Sequence, residues 1–507
     1  MGRIQDNRCR KGMGRIVPLL AAAMLLGSCG RPSDAWKASG DDSAISIMAP
    51  LHFPHAPDSA IIGEIERLTG TRLDIEWVPD GIYSDKVNTS LMTNSLKKAT
   101  FVKYTDYTFV KNAVRSGAFW EIGPYLNRFP NLRRLNPDIL EQSSLDGKIY
   151  GLYTERLSSR QGVILRQDWL DALGRKAPAT IDELYETMRA FAYDDPDGNG
   201  LDDTIGVADR NDLIFGVFKT IGSYFGTPNN WAVRGKGLVP EFETSEYMAT
   251  MNFMRSLYEE KLINQDFAVT SKEVQRNLFI RGQAGMYIGS MLDAQRLADA
   301  AVRVNPGARF SIVNRIEGPR GFQIWSIPNF NGLYLFSKKA IKSEEELLKA
   351  LRFFDRSMEG DVANLMKYGL EGRHYEVEEN KVRLPKESQE MRNNEVSVIY
   401  TLMIADLSNP NIMKIGEQDE LTALAERLSE DNEKFIVRDP TVGLKSDTYD
   451  EKGGELYKIV SDATYNYILG HLDEEGFKRE TERWKNAGGR DIIKEYTLDY
   501  FGGGDAG

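Results

Sequence analysis

Within DPDGNGLDD, oxygen-bearing residues fall at the spacing that suits a hard cation. Counting Asp195 as position 1, Asp197 stands at 3, Asn199 at 5, the Leu201 carbonyl at 7 and Asp203 at 9, with Gly200 at 6. Oxygens on alternate residues of a tight loop converge on one point, and glycine at position 6 permits the sharp bend. The expected chemistry is structural calcium binding, although Gly206 replaces the bidentate Glu of a complete helix-loop-helix hand at position 12. The alternative is a solvated Asp/Gly turn without an ion. Hard oxygens with no nearby histidine argue against a catalytic metal. His52 and His55 share a loop, but they lack a third ligand and read as turn or surface residues. No HExxH, GxSxG or P-loop pattern occurs.

The acidic loop needs elements on both sides to hold it. Before it, Asp168 to Leu173 reads as a short helix closed by Gly174. Thr180 with Glu183 then forms a capping box, and Leu184, Met188 and Phe191 share one face of the helix that follows. The fold is expected to begin at Ala44. Ile45 to Met48 reads as a strand, Asp58 or Ser59 caps a helix with Ile61, Ile62, Ile65 and Leu68 inward, and Leu73 to Trp77 alternates as a second strand. Strand, helix and strand make a right-handed βαβ unit, so the class is α/β with a parallel sheet. Leu333 to Phe336, followed by the capping box Ser343 and Glu346, closes another βα unit. Further helices are expected at Asp85 to Leu96, Ser245 to Glu260, Glu420 to Ser429, Gly454 to Leu469 and Asp491 to Phe501. The polar, unpatterned LYTERLSSRQG, 152–162, is the candidate first crossing between lobes.

The 507 residues allow two or three core-sized units, and the net charge of −11 argues against a nucleic-acid partner. Residues 1–29 read as a leader, with a basic start, the apolar run Ile16 to Leu26, and then Gly27, Ser28 and Cys29. The run is too short to span a bilayer. Its end resembles the lipobox of bacterial lipoproteins, in which Cys29 carries the lipid anchor, palmitate included, and becomes the mature N-terminus; a plain signal peptide is the alternative. Either Met1 or Met13 serves as the start. Residues 30–43 read as a tether. With Cys9 and Cys29 the only cysteines, the mature body has no internal disulfide.

Several motifs in order resemble the extracellular solute-binding proteins of ABC importers, in the oligosaccharide-handling lipoprotein branch. They are LRQDWLDALG with PATIDEL, DPDGNGLDDTIG, LYEEKLINQDF, RGQAGM, YGLEGRHYE and AGGRDIIKEY, and the resemblance covers Ala44 to Tyr500. It implies a two-lobe, type II periplasmic-binding-protein-like fold with parallel-sheet lobes and a largely helical C-terminal part. The expected lobes are 44–155 plus 322–358 and 156–321 plus 359–507. The resemblance also implies calcium in the acidic loop, closure on an oligosaccharide, delivery to an ABC permease, a lipid-anchored place on the outer face of the cell membrane and a monomeric state. Lys97, Lys98, Ala99 and Thr100 stand where the family carries an acidic segment, which points to a uronate or other anionic glycan.

A saccharide cleft uses aromatic platforms and a few planar polar groups. Tyr107, Phe215, Tyr224, Trp231, Tyr287 and Trp325 stand outside any helical core pattern and are the expected platforms, with Arg160 as the polar partner. The rival reading is a surface glycoside hydrolase or lyase, which needs a carboxylate pair that 75 acidic residues could supply. A ligand-presenting sensor would bind identically and differ in its partner.

Overall fold

The computed structural model describes residues 44–53 and 55–502; the leader, the tether, Cys29 and the last five residues lie outside the described residues. The opening unit forms as Ile45–Leu51, Ser59–Thr69 and Leu73–Pro79. Asp58 starts the helix by accepting from the Ala60 amide at 2.9 Å, and Gly70 ends it at φ 63°. The two strands pair in parallel, and Ala99–Lys103 joins the other side of Ile45–Leu51, also in parallel. Phe330–Phe336 then enters antiparallel between Ala99–Lys103 and Gly151–Glu155.

The second sheet has the order Phe310–Val313, Gln161–Arg166, Ala284–Ser290, Ile205–Ala208, and only its last pair is parallel. Both sheets are therefore mixed, where parallel sheets were expected. A strand arriving from the other lobe brings no crossover helix of its own, so nothing forces it to run parallel to its neighbour.

Two expected lobe boundaries move. Val362, Leu365, Met366, Ile399 and Leu402 bury themselves in the core of the first sheet, because the helix Gly360–Tyr368 packs on Ser59–Thr69. Ile324 and Trp325 belong instead to the core of the second sheet. The chain crosses between lobes at 156–160, at 326–329 and again before the helix Glu420–Asn432, whose Ala425 packs with Leu297 and Ile312. The helices Asp447–Ile468, Glu474–Trp484 and Arg490–Gly502 complete the second lobe around Trp231 and Trp484.

The capping boxes form with one change. Thr180 and Ser343 each accept from the third amide of their helix at 3.2 Å, while Glu183 and Glu346 reach the amide before the cap, Ala179 and Lys342, at 2.7 Å. In LRQDWL, the buried Arg166 is gripped by Asp168 through two bonds of 2.9 and 2.6 Å and lies 4.7 Å from the centre of the Trp169 ring. That motif is a structural staple: removing Asp168 would strand a buried guanidinium, at a cost of about 3–5 kcal/mol.

Candidate functional site

The ends of the first-sheet strands and one face of the second lobe enclose a cavity of about 1010 Å³. That volume is at the upper end of ordinary small-molecule sites. His52, Lys103 and Glu155 reach it just past or at the carboxyl ends of their strands, where α/β sheets bind ligands. Phe215 and Lys219 reach it from the start of the helix Val217–Phe225, and Arg156, Arg160, Trp325 and Ser326 from the crossings or their margins.

Hydrogen bonds tie the crossings together. Asn229 Nδ2 donates to the Ser326 and Val437 carbonyls at 2.6 and 3.0 Å, and Ile327 N to the Ser158 carbonyl at 3.0 Å. Glu433 accepts from the Ser158 amide at 3.1 Å, and Asn432 donates to the Gln161 carbonyl at 3.0 Å. Buried backbone groups in these irregular segments are thereby satisfied without a sheet or helix to do it.

Two aromatic surfaces face the space. The Phe215 and Trp325 rings meet edge to face, 5.6 Å between centroids, with Trp325 Nε1 donating to Thr220 at 3.0 Å. Phe215 remains 38% exposed, so one ring edge is open to a ligand. Lys219 Nζ lies 6.0 Å from the Trp325 ring and is held by Asn230 and Glu241. Opposite, His52 stacks on Tyr400 at 5.9 Å, and burial lowers its pKa despite the nearby Asp80.

The charges are divided. Arg156 and Arg160 each present a buried Nε without a hydrogen-bond partner among the described residues. Burial, then the neighbouring Arg160, brings the Arg156 guanidinium down to about 9, and burial likewise lowers Arg160. No carboxylate figures among the charges acting on Arg156; Asp293, which acts on Arg160, is already paired with Arg276 and Arg296 at 3.1 and 2.7 Å. Elsewhere in the cavity, burial and then Glu155 push the Asp406 carboxyl up to about 6 against the pull of Lys367. Glu155 itself accepts from the Ser408 amide and hydroxyl, both at 2.8 Å. Arg156, Arg160 and Phe215 also line an adjoining cavity of about 670 Å³ with Arg210, Lys272 and Tyr287.

Of the seven residues expected from sequence, Arg160, Phe215 and Trp325 line the main cavity, and Tyr287 lines the adjoining one. The other three are corrected. Tyr107 packs in the first core, Tyr224 is 1% exposed in the second, and Trp231 packs against Trp484 and Tyr496. Loop position did not distinguish a platform from a core ring. Lys97 and Lys98 are also away from the cavity, at the opposite end of their strand: Lys97 pairs with Asp74 and Glu76, and Lys98 donates to the Ala44 carbonyl at 3.1 Å. The cations of the main cavity are instead Arg156, Arg160 and Arg438, with Lys103 and Lys219 already paired to Asp80 and Glu241. Arg156 was visible in the crossing segment but had no pattern to single it out.

In the acidic loop, Asn199 Nδ2 donates to Asp197 at 3.0 Å and to Asp203 at 3.3 Å, while the Gly200 amide donates to Asp195 at 3.0 Å. Desolvation, with Asp195 and Asp203 nearby, raises the Asp197 carboxyl. No three His, Cys, Asp or Glu side chains are grouped as a metal centre among the described residues. Asp197 and Asp203 thus share the Asn199 side-chain amide, while Asp195 also accepts from the Asn199 amide N–H and Asn199 Oδ1 from the Leu201 amide; the residue types are the hard oxygens that calcium takes.

Residues 55–318 match the family model described as bacterial extracellular solute-binding protein. The chain is 44% identical over 486 residues to the polygalacturonan/rhamnogalacturonan-binding protein YtcQ of Bacillus subtilis (strain 168), covering 95% of this chain and 97% of that one. It is 33% identical over 492 residues to the lipoprotein LipO of the same organism, covering 94% and 96%. Among solved structures, a solute-binding protein of Bifidobacterium longum infantis associated with an HMO-binding ABC transporter superposes with a TM-score of 0.71 at 15% identity, covering 90% of this chain and 98% of that one.

Proposed function

The chain belongs to the bacterial extracellular solute-binding proteins, and from that premise we propose that it captures an acidic oligosaccharide between its lobes and hands it to an ABC permease. The observation that carries this reading is the pair Arg156 and Arg160, buried at a crossing with no acid to satisfy Arg156. Carboxylates recognised by planar guanidinium forks are the natural counterpart of such a pair. The Phe215 and Trp325 rings offer the apolar surface that sugar C–H faces pack on. The likeness to a polygalacturonan/rhamnogalacturonan-binding protein supports the same ligand class.

Capture works by differential contact. A glycan touching His52 and Glu155 on one lobe and Phe215 and Lys219 on the other favours the closed arrangement over an open one by the contacts that only closure completes. The ligand leaves chemically unchanged. The protein works as a monomer, held to the outer face of the membrane by lipid on Cys29, and calcium in the acidic loop, held by Asp195, Asp197, Asn199, the Leu201 carbonyl and Asp203, stabilises the second lobe.

Trp325 supplies the test, because it is the tryptophan lining the main cavity among the described residues. Titration with galacturonate-containing oligosaccharides should change intrinsic fluorescence saturably. The change should be lost in Trp325→Phe, weaken with ionic strength, and leave the glycan intact on chromatography. Cleaved glycan, or no saturable response to any oligosaccharide, overturns the proposal.

A further inference from the structure

Where the C-terminal helices pack on the rest of the second lobe, the seam holds a small cavity of about 130 Å³. Its walls come from both sides. Phe218 and Tyr247 belong to the core of the second sheet, and Leu456, Val460 and Ile492 to the cluster around Trp231 and Trp484. Phe218 meets Tyr247 edge to face at 5.1 Å, and Phe242 meets Trp484 in the same way at 4.9 Å, so ring edges and faces frame the space. Tyr449 and Tyr457, on the helix Asp447–Ile468, complete the lining and remain 41% and 51% exposed.

The polar side chains of the same lining already have partners. Lys219 donates to Asn230 and to Glu241, Glu241 accepts from the Asn230 amide at 2.9 Å, and Asn230 Nδ2 donates to Asp439 at 2.7 Å. Ser461 donates to the Lys458 carbonyl at 3.2 Å, and the Tyr247 hydroxyl shares a hydrogen bond with Thr464 at 2.8 Å. What the cavity has left to offer a guest is apolar and aromatic surface.

An apolar cavity costs stability while empty, and one of about 150 Å³ takes benzene. Aromatic walls add the edge-to-face contacts that a ring makes and an alkyl group does not. The cavity also adjoins the glycan space, because Ile214, Lys219 and Asn230 line it and the main cavity alike. Lys219 and Asn230 are tied down, which leaves Ile214, the residue before Phe215, as the apolar side of the shared wall. Resting on the reading of the protein as an acidic-oligosaccharide binder, we infer that the seam cavity is a binding site for one aromatic ring carried on the sugar. The ring is an aryl group at a chain end or an aromatic acyl ester on a hydroxyl. The glycan lies in the main cavity, and its substituent turns across Ile214 to fill the space among Phe218, Trp231, Trp484 and the two exposed tyrosines.

The test is calorimetry of the full chain with four forms of digalacturonate: the methyl glycoside, the phenyl glycoside, the cyclohexyl glycoside, and the methyl glycoside carrying one benzoyl ester. At least one aromatic probe should bind about ten-fold tighter than the methyl glycoside, and the cyclohexyl probe should not. Gain by the phenyl glycoside places the ring at a chain end, and gain by the benzoyl ester places it on a hydroxyl. Val460→Phe, which fills the cavity, should bring the aromatic and methyl probes level. Aromatic probes that bind no tighter than the methyl glycoside overturn the inference while leaving the acidic-glycan reading standing. An equal gain from the cyclohexyl probe overturns the aromatic preference, and a gain that survives Val460→Phe overturns the location. No binding of any probe removes the proposed function, and the inference with it. Because the decisive comparison is between ligands on the unaltered protein, misfolding of the variant does not blunt it.

Discussion

Arg115 and Asp450, separated by 335 positions in the chain, meet at 3.5 Å. Arg115 ends the first-lobe helix Tyr107–Arg115, and Asp450 lies near the start of Asp447–Ile468 in the second lobe. Burial raises the Asp450 carboxyl against the pull of Lys111 and Arg115, and burial lowers Lys111, on the same first-lobe helix, against the pull of Asp450. The contact exists only while the lobes are together. Asp450→Ala would leave Asp146 as the remaining counter-charge for Lys111 and Arg115 in the closed form, with both cations freely hydrated in an open one. Ligand affinity should fall about 3- to 10-fold, on the order of 1 kcal/mol. Small-angle scattering of the ligand-free protein should show a larger radius of gyration; an unchanged radius and affinity would mean that the pair does not hold the lobes.

Replacing Arg156 separates ligand binding from stability. In Arg156→Gln, acidic-glycan affinity should drop about 10- to 100-fold, the range of a charged hydrogen bond. The ligand-free protein should melt higher, because a guanidinium brought down to about 9 by burial is one the fold carries at a cost. Calorimetry and a thermal melt on the same sample check both halves. A lower melting temperature would show that Arg156 is satisfied by groups already within the fold.

Asp406 should leave a mark on the pH dependence of stability. Its folded-state pKa, about 6, lies above the usual carboxylate value of 3.8. Between those values the folded protein holds more protons at this group than the unfolded chain, so this contribution to stability declines as pH rises from about 4 to about 6. Asp406→Asn should melt higher than the parent at pH 7 and show little difference at pH 4. Lys367 and Glu155 face the same carboxyl and stay unchanged in the comparison.

Calcium should raise the melting temperature by several degrees through preferential binding to the folded state, and chelation should reverse it. Asp203→Ala, which removes one of the two carboxylates that share the Asn199 amide, should abolish the shift without altering the ligand-free melt by more than a degree or two. Equal response of parent and variant would place any bound calcium elsewhere.

Local chemistry made much of the scaffold legible. Thr180 with Glu183 and Ser343 with Glu346 mark helix starts because a hydroxyl and a carboxylate three residues apart serve amides that the helix cannot. The same reasoning placed the start of Asp447–Ile468 too late, at Gly454. The helix runs through Gly453 and Gly454, with the Tyr449 ring packed over Gly453. The candidate site was harder to read because separate stretches build it. Phe215 and Trp325 become a platform only through a contact across 110 positions, and Asp406 acquires its environment from Glu155 and Lys367 on two other segments. Tyr224 defeated pattern reading for another reason: the residues around it in Val217–Phe225 are buried on every side, so periodicity carries no direction.

The first sheet cannot be completed by the first part of the chain. Phe330–Phe336 stands between Ala99–Lys103 and Gly151–Glu155, and residues up to Ala405 fill the core beneath. A polypeptide threaded outward from its N-terminus would have its earliest strands waiting, with apolar faces uncovered, until the second crossing and the segment after it had been delivered. Such a chain has little opportunity to collapse into a stable lobe during passage, which keeps it extended while it travels and exposed to aggregation once outside. A nascent chain halted before residue 330 should stay protease-sensitive over residues 44–155, and one halted after residue 405 should acquire a resistant first lobe.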